Sequence, residues 1–435
     1  MRKPWIAVQL PAGRDGSSIS EPDAVERSLS RARELAHADA VILQTAADPG
    51  RTSRLVSAAR RAGLEVLLWF PVLADSPGAV PPPGSLTRNA DGSSGHGRSG
   101  AWEGLADGEE TFLFGCPNDA RNLSAARSAL QSLLDSFEVD GVMLDKIRFP
   151  SPSSGLESLF CCFCESCRAS FEAATGRPME EVRRKCGAFL ALLRSRGAAA
   201  LDPGSTGPGS TGPGSTGPGW TGPGWTDPAS FWEAAGVKEL GDFRAGSIAA
   251  VVRNLAGLAR ARSLRVGLDL FSPALAPLVG QDYPALSGLC DWVKPMTYRA
   301  AAGPAGLPLE IACLWKALRE LDPQGNGRSA RLLLDRLFPW GLPAVESDLL
   351  KNGLPAAVIA SELASLRRMP LAPSTRVCAG IEAVQIPSFG IHVTPRELEA
   401  SLQAAVGLAD GIIVSWDLRH VPEENLRLIG SVARR

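Results

Sequence analysis

Eight short runs of apolar, β-forming residues recur along the chain, separated by longer stretches rich in Ala, Leu and Arg. The runs occupy residues 5–10, 40–45, 65–72, 141–149, 265–271, 291–298, 376–386 and 411–418. The stretches between them predict helices over 23–37, 52–62, 124–137, 230–263, 356–368 and 395–407. The last opens with Thr394 as cap, Pro395 at the first helical position and Glu397 at the third, which is a capping box. Parallel neighbours need a crossover connection, so strand-then-helix alternation specifies α/β structure on a parallel sheet. Eight such units close into a (β/α)8 TIM barrel. A doubly wound open sheet is the competing arrangement.

The chain has 435 residues, the length of one barrel domain with long insertions, and 45% of them are apolar, enough for a large core. Lys and Arg (45) nearly balance Asp and Glu (46), which leaves no basic stripe for nucleic acid. The apolar stretch at the N-terminus is about six residues, too short for a signal peptide. No window approaches the roughly 18 apolar residues of a membrane span. These features predict a cytoplasmic protein that meets neither nucleic acid nor membrane. Three insertions break the pattern. Residues 74–111 are rich in Gly, Pro and Ser and predict a loop over the third strand, and 299–354 follow the sixth. Within 198–228 lie five Pro-Gly pentapeptides: PGSTG three times, then PGWTG and PGWTD. Such a repeat offers no core side chains and predicts a mobile loop, although Trp220 and Trp225 are able to dock.

In a barrel the chemistry sits at the C-terminal ends of the strands. The polar and aromatic residues late in each strand are Gln9, Gln44, Trp69, Asp145, Lys146, Arg148, Asp269, Lys294, Tyr298, Glu382, Gln385, Trp416 and Asp417. There is no His cluster, phosphate-cradling Gly loop or G-x-S-x-G elbow among them, and His392 reads as a loop residue. Carboxylates beside indole faces suit carbohydrate, because sugar C–H faces stack on aromatic rings and paired carboxylates cleave glycosidic bonds. A charged residue on an apolar strand is costly unless it is paired or functional. Asp145, Glu382 and Asp269 are therefore the candidate acids, each with a structural ion pair as the alternative. Arg148 reads equally as a planar fork for a sugar or a salt bridge at the barrel top.

Nine cysteines in an unexported chain favour thiols and metal over disulfides. Cys162, Cys164 and Cys167 form C-x-C-x-x-C shortly after the fourth strand, and Cys116 lies 46 residues upstream of the first in FGCPND. Four cysteines have the ligand count and softness of a closed structural zinc site. Cys161 is adjacent, and Cys186, Cys290, Cys313 and Cys378 read as small core residues.

FGCPND and CFCESCRASF resemble the zinc site of glycoside hydrolase family 42 beta-galactosidases. The resemblance assigns Cys116, Cys162, Cys164 and Cys167 as zinc ligands and Phe171 as the aromatic that follows them. The fourth strand is similar instead to the signature of the family-10-like glycosyl hydrolases, a barrel group, through Asp140, Gly141, Leu144, Asp145, Ile147, Arg148, Phe149 and Pro150. The sixth strand resembles that group too. Family 42 enzymes carry an Asn-Glu acid/base pair at the end of strand four; this chain has Asp145 there and no such pair, so that assignment does not carry over. In some related barrels the nucleophile comes from strand seven, which makes Glu382 the second carboxylate; in the alpha-amylase-like and alpha-galactosidase-like barrels it is an Asp at the end of strand four, so Asp145 fits either role. The resemblance thus implies a retaining glycoside hydrolase with Asp145 and Glu382 as its carboxylates. Arg148, Asp269, Lys294, Tyr298, Trp416 and Trp69 would bind substrate beside a structural zinc. It also implies self-association, since family 42 enzymes are often trimers. Loss of the Asn-Glu pair fits a second reading: a lapsed hydrolase-like barrel that binds glycan without cleaving it.

Overall fold

The computed structural model describes residues 4–11, 22–45, 48–74, 81–82, 84–94, 113–201, 225–303, 305–322, 327–386 and 391–432. Eight parallel strands form a closed ring in chain order: β1 (Trp5–Leu10), β2 (Ala40–Gln44), β3 (Glu65–Pro71), β4 (Gly141–Asp145), β5 (Arg265–Phe271), β6 (Trp292–Met296), β7 (Arg376–Glu382) and β8 (Gly411–Ser415). The expected (β/α)8 barrel is what forms, and the open sheet is excluded.

One local device recurs at the bottom of the ring. An Asp stands directly before every even-numbered strand, and its carboxylate takes a backbone N–H from the strand before. Asp39 accepts from Ile6 (3.0 Å), Asp140 from Val66 (2.7 Å), Asp291 from Val266 (2.7 Å) and Asp410 from Val377 (2.8 Å). Four equivalent bonds fix the register of four strand pairs. A one-residue slip would turn every inward side chain outward.

Side chains alternate across a strand, so every second residue faces the barrel axis. The lower inward positions are apolar: Trp5, Ala7, Ala40, Ile42, Leu67, Met143, Trp292, Cys378 and Ile413 pack together. The rings of Trp5 and Trp292 meet at 5.6 Å. Gly267 of β5 makes room for them, since a Cβ there would lie 2.0 Å from the Trp292 indole. Gly267→Ala is therefore expected to destabilise the fold by roughly 2–4 kcal/mol, because rigid ring atoms and neighbouring backbone cannot both yield. Urea denaturation checks this, and an unchanged midpoint would show that the layer repacks freely.

Several sequence expectations are corrected. β4 stops at Asp145 rather than 149, because Lys146 turns the chain with a φ of +51°. β7 stops at Glu382, and Gln385–Ile386 pair separately with Ile391–His392 in a small antiparallel ribbon. The helix expected over 230–263 is broken at Gly236 (φ +67°) into Phe231–Ala234 and Lys238–Arg260. The insertion after β6 is largely helical, with Leu307–Glu320, Arg328–Leu337 and Glu346–Asn352. Two helices follow the cysteine run, Glu165–Thr175 and Met179–Arg196. Of the Gly-rich insertion, 84–94 are held by bridges from Leu86 to Gly115 and from Arg88 to Ser94; 75–80 and 95–112 lie outside the described residues.

The repeat, with Trp220, also lies outside the described residues, but its last Trp does not. Trp225 is 1% exposed, its ring packs on Phe231 at 4.9 Å, and its backbone N–H donates to the carbonyl of Leu201 (3.0 Å). The two ends of the repeat are thus tied together. Among the described residues, no helix is long and apolar enough to cross a membrane.

Candidate active site

The inward positions change character at the top of the barrel. Above the apolar layer stand Gln9, Trp69, Asp145, Asp269, Lys294, Glu382 and Ser415, one from each of seven strands. Asp145 ends β4, where its backbone is register-paired with Pro71 of β3. Its Oδ2 accepts the indole N–H of Trp69 (2.8 Å) and its Oδ1 accepts the N–H of Lys146 (2.5 Å). Each oxygen of the carboxyl thus has its own N–H donor. Trp69 is half-buried, so its ring reaches the mouth while its nitrogen grips the acid.

Glu382 ends β7 and is 5% exposed. Its oxygens accept the N–H groups of Ala300 (2.8 Å) and Ala301 (2.7 Å), in the loop after β6. Burial pushes its pKa up to about 7, against those two bonds. Two other buried acids hold loops in the same way. Glu310 takes Ser151, Ser153 and Ala305, and Glu362 takes Ser272 and Ala274.

The floor of the mouth is one polar network. Lys294, fully buried, donates to Asp269 (2.9 Å), Gln9 (2.8 Å) and Tyr298 (2.6 Å), which uses all three of its N–H groups. Tyr298 shares a hydrogen bond with Ser415 (2.7 Å), and Ser415 donates to Gln9 (2.8 Å). Burial raises Asp269 to about 7; Lys294 pulls it down and the charge of Asp145 adds to the rise. Burial raises the Tyr298 hydroxyl as well, and the charges of Asp269, Asp145 and Glu382 all reach it. The three expected acids therefore surround one tyrosine. Above it the ring of Trp416, half-buried, stacks at 5.8 Å and 24°.

A carboxyl raised on folding binds its proton more tightly in the native state. The stability it contributes is complete below its unfolded value and is lost as pH climbs through its folded one. For Glu382 and Asp269 that window runs from the ordinary values of 4.5 and 3.8 to about 7. Glu382→Gln is thus expected to flatten the fall in stability between pH 5 and 8 by roughly 2–3 kcal/mol. Denaturation at a series of pH values reads this, and parallel curves for parent and variant would contradict it.

Other expected site residues have protein partners. Arg148 is 4% exposed, lies over the rings of Phe114 (4.3 Å) and Phe271 (4.6 Å), and donates to the Phe149 carbonyl (3.1 Å). Asp417 caps the next turn and pairs with Arg419 (2.7 Å). Gln44 is half-buried at the end of β2, Gln385 half-buried in the ribbon, and His392 exposed. Ser415 was not expected. Its signal was the inward alternation Gly411, Ile413, Ser415 along β8.

Beside the mouth, the sulfurs of Cys116, Cys162, Cys164 and Cys167 all lie within 4.8 Å of one another. Cys164 also caps Glu165–Thr175, accepting from the N–H of Cys167 (3.4 Å). The Arg88 N–H points at Cys162 and the Asn118 amide at Cys167, both at 3.3 Å. Hydrogen bonds from Cys116, Cys162 and Cys167 hold the Cys164 thiol well below its usual range, while the bond with Cys162 raises Cys116. Four converging sulfurs with N–H donors around them form a donor set able to hold a soft metal ion. Cys161 is buried outside this set, pushed up to about 12 by burial. Cys186, Cys290, Cys313 and Cys378 are buried in the core.

The cluster is wired to Asp145 through backbone. Gly115, next to Cys116, donates to the Leu73 carbonyl (2.7 Å). Leu73 and Val72 in turn donate to the carbonyls of Lys146 (3.4 Å) and Asp145 (2.9 Å). Asn122 locks the strap by donating to the carbonyls of Ser85 (2.8 Å) and Cys116 (3.0 Å).

No family model matches the chain, and no curated protein matches it. Solved structures do. The catalytic domain of beta-amylase from Paenibacillus polymyxa is similar with a TM-score of 0.51 at 10% identity, over 97% of this chain and 95% of that one. The PgaB (BpsB) glycoside hydrolase domain from Bordetella bronchiseptica gives 0.48 at 14%, over 96% and 95%. A chitinase from Chromobacterium violaceum gives 0.43 at 9%, over 99% of each chain. The likeness to the beta-amylase domain establishes a shared barrel fold.

Proposed function

We propose that this chain is a glycoside hydrolase whose reactive carboxylate is Asp145. The observation that carries the reading is the tip of β4, where the carboxyl of Asp145 accepts the indole N–H of Trp69 (2.8 Å), whose ring offers a sugar-stacking face at the mouth. Glu382, raised to about 7, is the partner acid: near neutrality it still holds a proton for the leaving oxygen. Asp145 attacks the anomeric carbon, and the resulting glycosyl ester is hydrolysed by water with Glu382 now acting as base. The product would retain its anomeric configuration. Trp416 and Tyr298 supply the second stacking face, while Lys294 and Asp269 set the charge beneath the ring. Arg148, between the rings of Phe114 and Phe271, steadies the loop that follows Asp145.

Zinc is the metal that a closed set of four cysteines fits, with Cys116, Cys162, Cys164 and Cys167 as ligands. When bound it is structural. An all-Cys site leaves no open position for water, so its place is to brace the strap behind Asp145.

One feature favours the second reading, a barrel that binds glycan without cleaving it. Both oxygens of Glu382 are engaged by backbone N–H groups, as in the loop-holding acids Glu310 and Glu362. A panel of aryl glycosides, with glycan affinity measured separately, decides between them. Turnover with anomeric retention by NMR supports the hydrolase. Glycan binding with no turnover on any member leaves the binding barrel.

A further inference from the structure

Asp145 and Asp269 stand on neighbouring strands at the same height. β4 and β5 pair in parallel through Leu144 and Leu268, so the next residue on each strand is one of the two acids. Adjacent strands lie about 4.8 Å apart and residues abreast in a parallel pair point to the same side. Lys294 continues the row, register-paired with Asp269 across β5 and β6. Carboxylate, carboxylate and ammonium thus stand abreast on three strands.

The two acids differ in their partners. Asp145 has a donor on each oxygen, Trp69 on one and Lys146 on the other. Asp269 is 2% exposed; its Oδ2 meets Lys294 at 2.9 Å, and its buried Oδ1 has no hydrogen-bond partner. A buried carboxylate oxygen without a donor is costly while the group is charged. Two carboxylates this close do not both ionise freely.

We propose that Asp145 and Asp269 work as one coupled carboxylate dyad with Lys294 as its counter-charge, Asp269 being a positioning residue that acts through Asp145. The proposal rests on Asp145 being the reactive carboxylate. Within the dyad a single negative charge is kept on Asp145, where Trp69 and Lys146 receive it, and the proton stays on Asp269. The groups facing Asp269 are Asp145 from β4, Lys294 from β6, Tyr298 beyond it and Tyr283 from the segment after β5. Lys294 alone among them is a cation. The rise of Asp269 to about 7 agrees with this division of charge.

The test is an NMR titration of protein labelled at the aspartate carboxyl carbon, with the Asp145 resonance identified by its absence from Asp145→Asn. In the parent, Asp145 should show a second inflection near pH 7, caused by its neighbour. Asp269→Asn should abolish that inflection. Lys294→Met, a second variant that leaves both acids in place, should move both inflections up by about one pH unit or more. The dyad is overturned if the parent Asp145 signal has a single inflection, if the second survives in Asp269→Asn, or if Lys294→Met leaves the curve unchanged. The alkaline limb of the pH–rate profile should also become shallower in Asp269→Asn, which loss of mere structural support would not produce. The titration needs no turnover. If no glycoside is cleaved, the hydrolase reading fails while the dyad is still read; if cleavage occurs but Asp145 titrates alone, the reverse holds.

Discussion

Asp145→Asn is expected to lower kcat/KM on a cleaved aryl glycoside by roughly a thousand-fold or more, about 4 kcal/mol of transition-state stabilisation. The loss should fall on kcat. Asparagine keeps the size of the side chain and still presents an oxygen to the Trp69 indole, so the half-buried stacking faces of Trp69 and Trp416 stay in place and KM should move little. What disappears is the negative charge at the tip of β4. With it goes the group able to bond to, or stabilise charge on, the anomeric carbon. The Lys146 N–H, 2.5 Å from Oδ1 in the parent, would face whichever amide group the new side chain turns toward it. A modest stability change is expected from that, read by thermal unfolding alongside the kinetics. Kinetics on a chromogenic glycoside settle the matter. If Asp145→Asn turned over at the parental rate, Asp145 would have no catalytic part, and another acid would have to carry the cleavage. Glu382→Gln should also lower kcat and should make the alkaline limb near pH 7 shallower. A fall in KM-limited binding alone would mark Glu382 as a loop clamp for Ala300 and Ala301.

The barrel was legible because its signal is periodic. Each strand is a short apolar run, and the runs recur eight times with helices between. Their ends were less legible. Lys146 adopts a positive φ that nothing in VMLDKIRF announces, and the end of β7 at Glu382 is equally unmarked, since Ala383 and Val384 are as apolar as the strand itself. Alternation does not distinguish a strand from the turn that follows it. The floor network was half legible. Gln9, Lys294, Tyr298 and Asp269 stand out as polar residues on apolar strands, but their convergence depends on ring closure, which places β1 beside β8. Ser415 does not stand out in the sequence, because serine is unremarkable on any strand until its inward parity is known. Arg148 was ambiguous for a different reason. A planar cation beside an acid reads as a substrate fork in sequence, whereas here two phenylalanine rings from distant segments enclose it. The four cysteines needed no such context, since spacing alone brought three of them together and the resemblance of FGCPND to the family 42 site implied the fourth.

Cys164→Ser is expected to abolish zinc binding and to remove at least about 3 kcal/mol of stability, because a structural metal contributes its binding energy directly to folding. Serine is the informative replacement. It caps a helix as well as the thiol does and still accepts the N–H of Cys167, so a loss reports the metal site and not the cap. Elemental analysis of the parent should find about one zinc per chain, and the variant far less. A zinc-free parent would end the assignment, and a stable, zinc-loaded Cys164→Ser would show that three sulfurs suffice. Activity should decline without vanishing at temperatures where the variant stays folded. The path runs from Cys116 through the Gly115–Leu73 bond to the backbone of Lys146 and Asp145, so a loosened cluster lets the acid drift from its position over the floor. Misplacement of a reacting group by an ångström is enough to cost a hundred-fold in rate, about 3 kcal/mol, even when the group itself is intact. The two substitutions therefore separate by kind: Asp145→Asn silences a folded barrel, whereas Cys164→Ser leaves the chemistry in place on a weakened support.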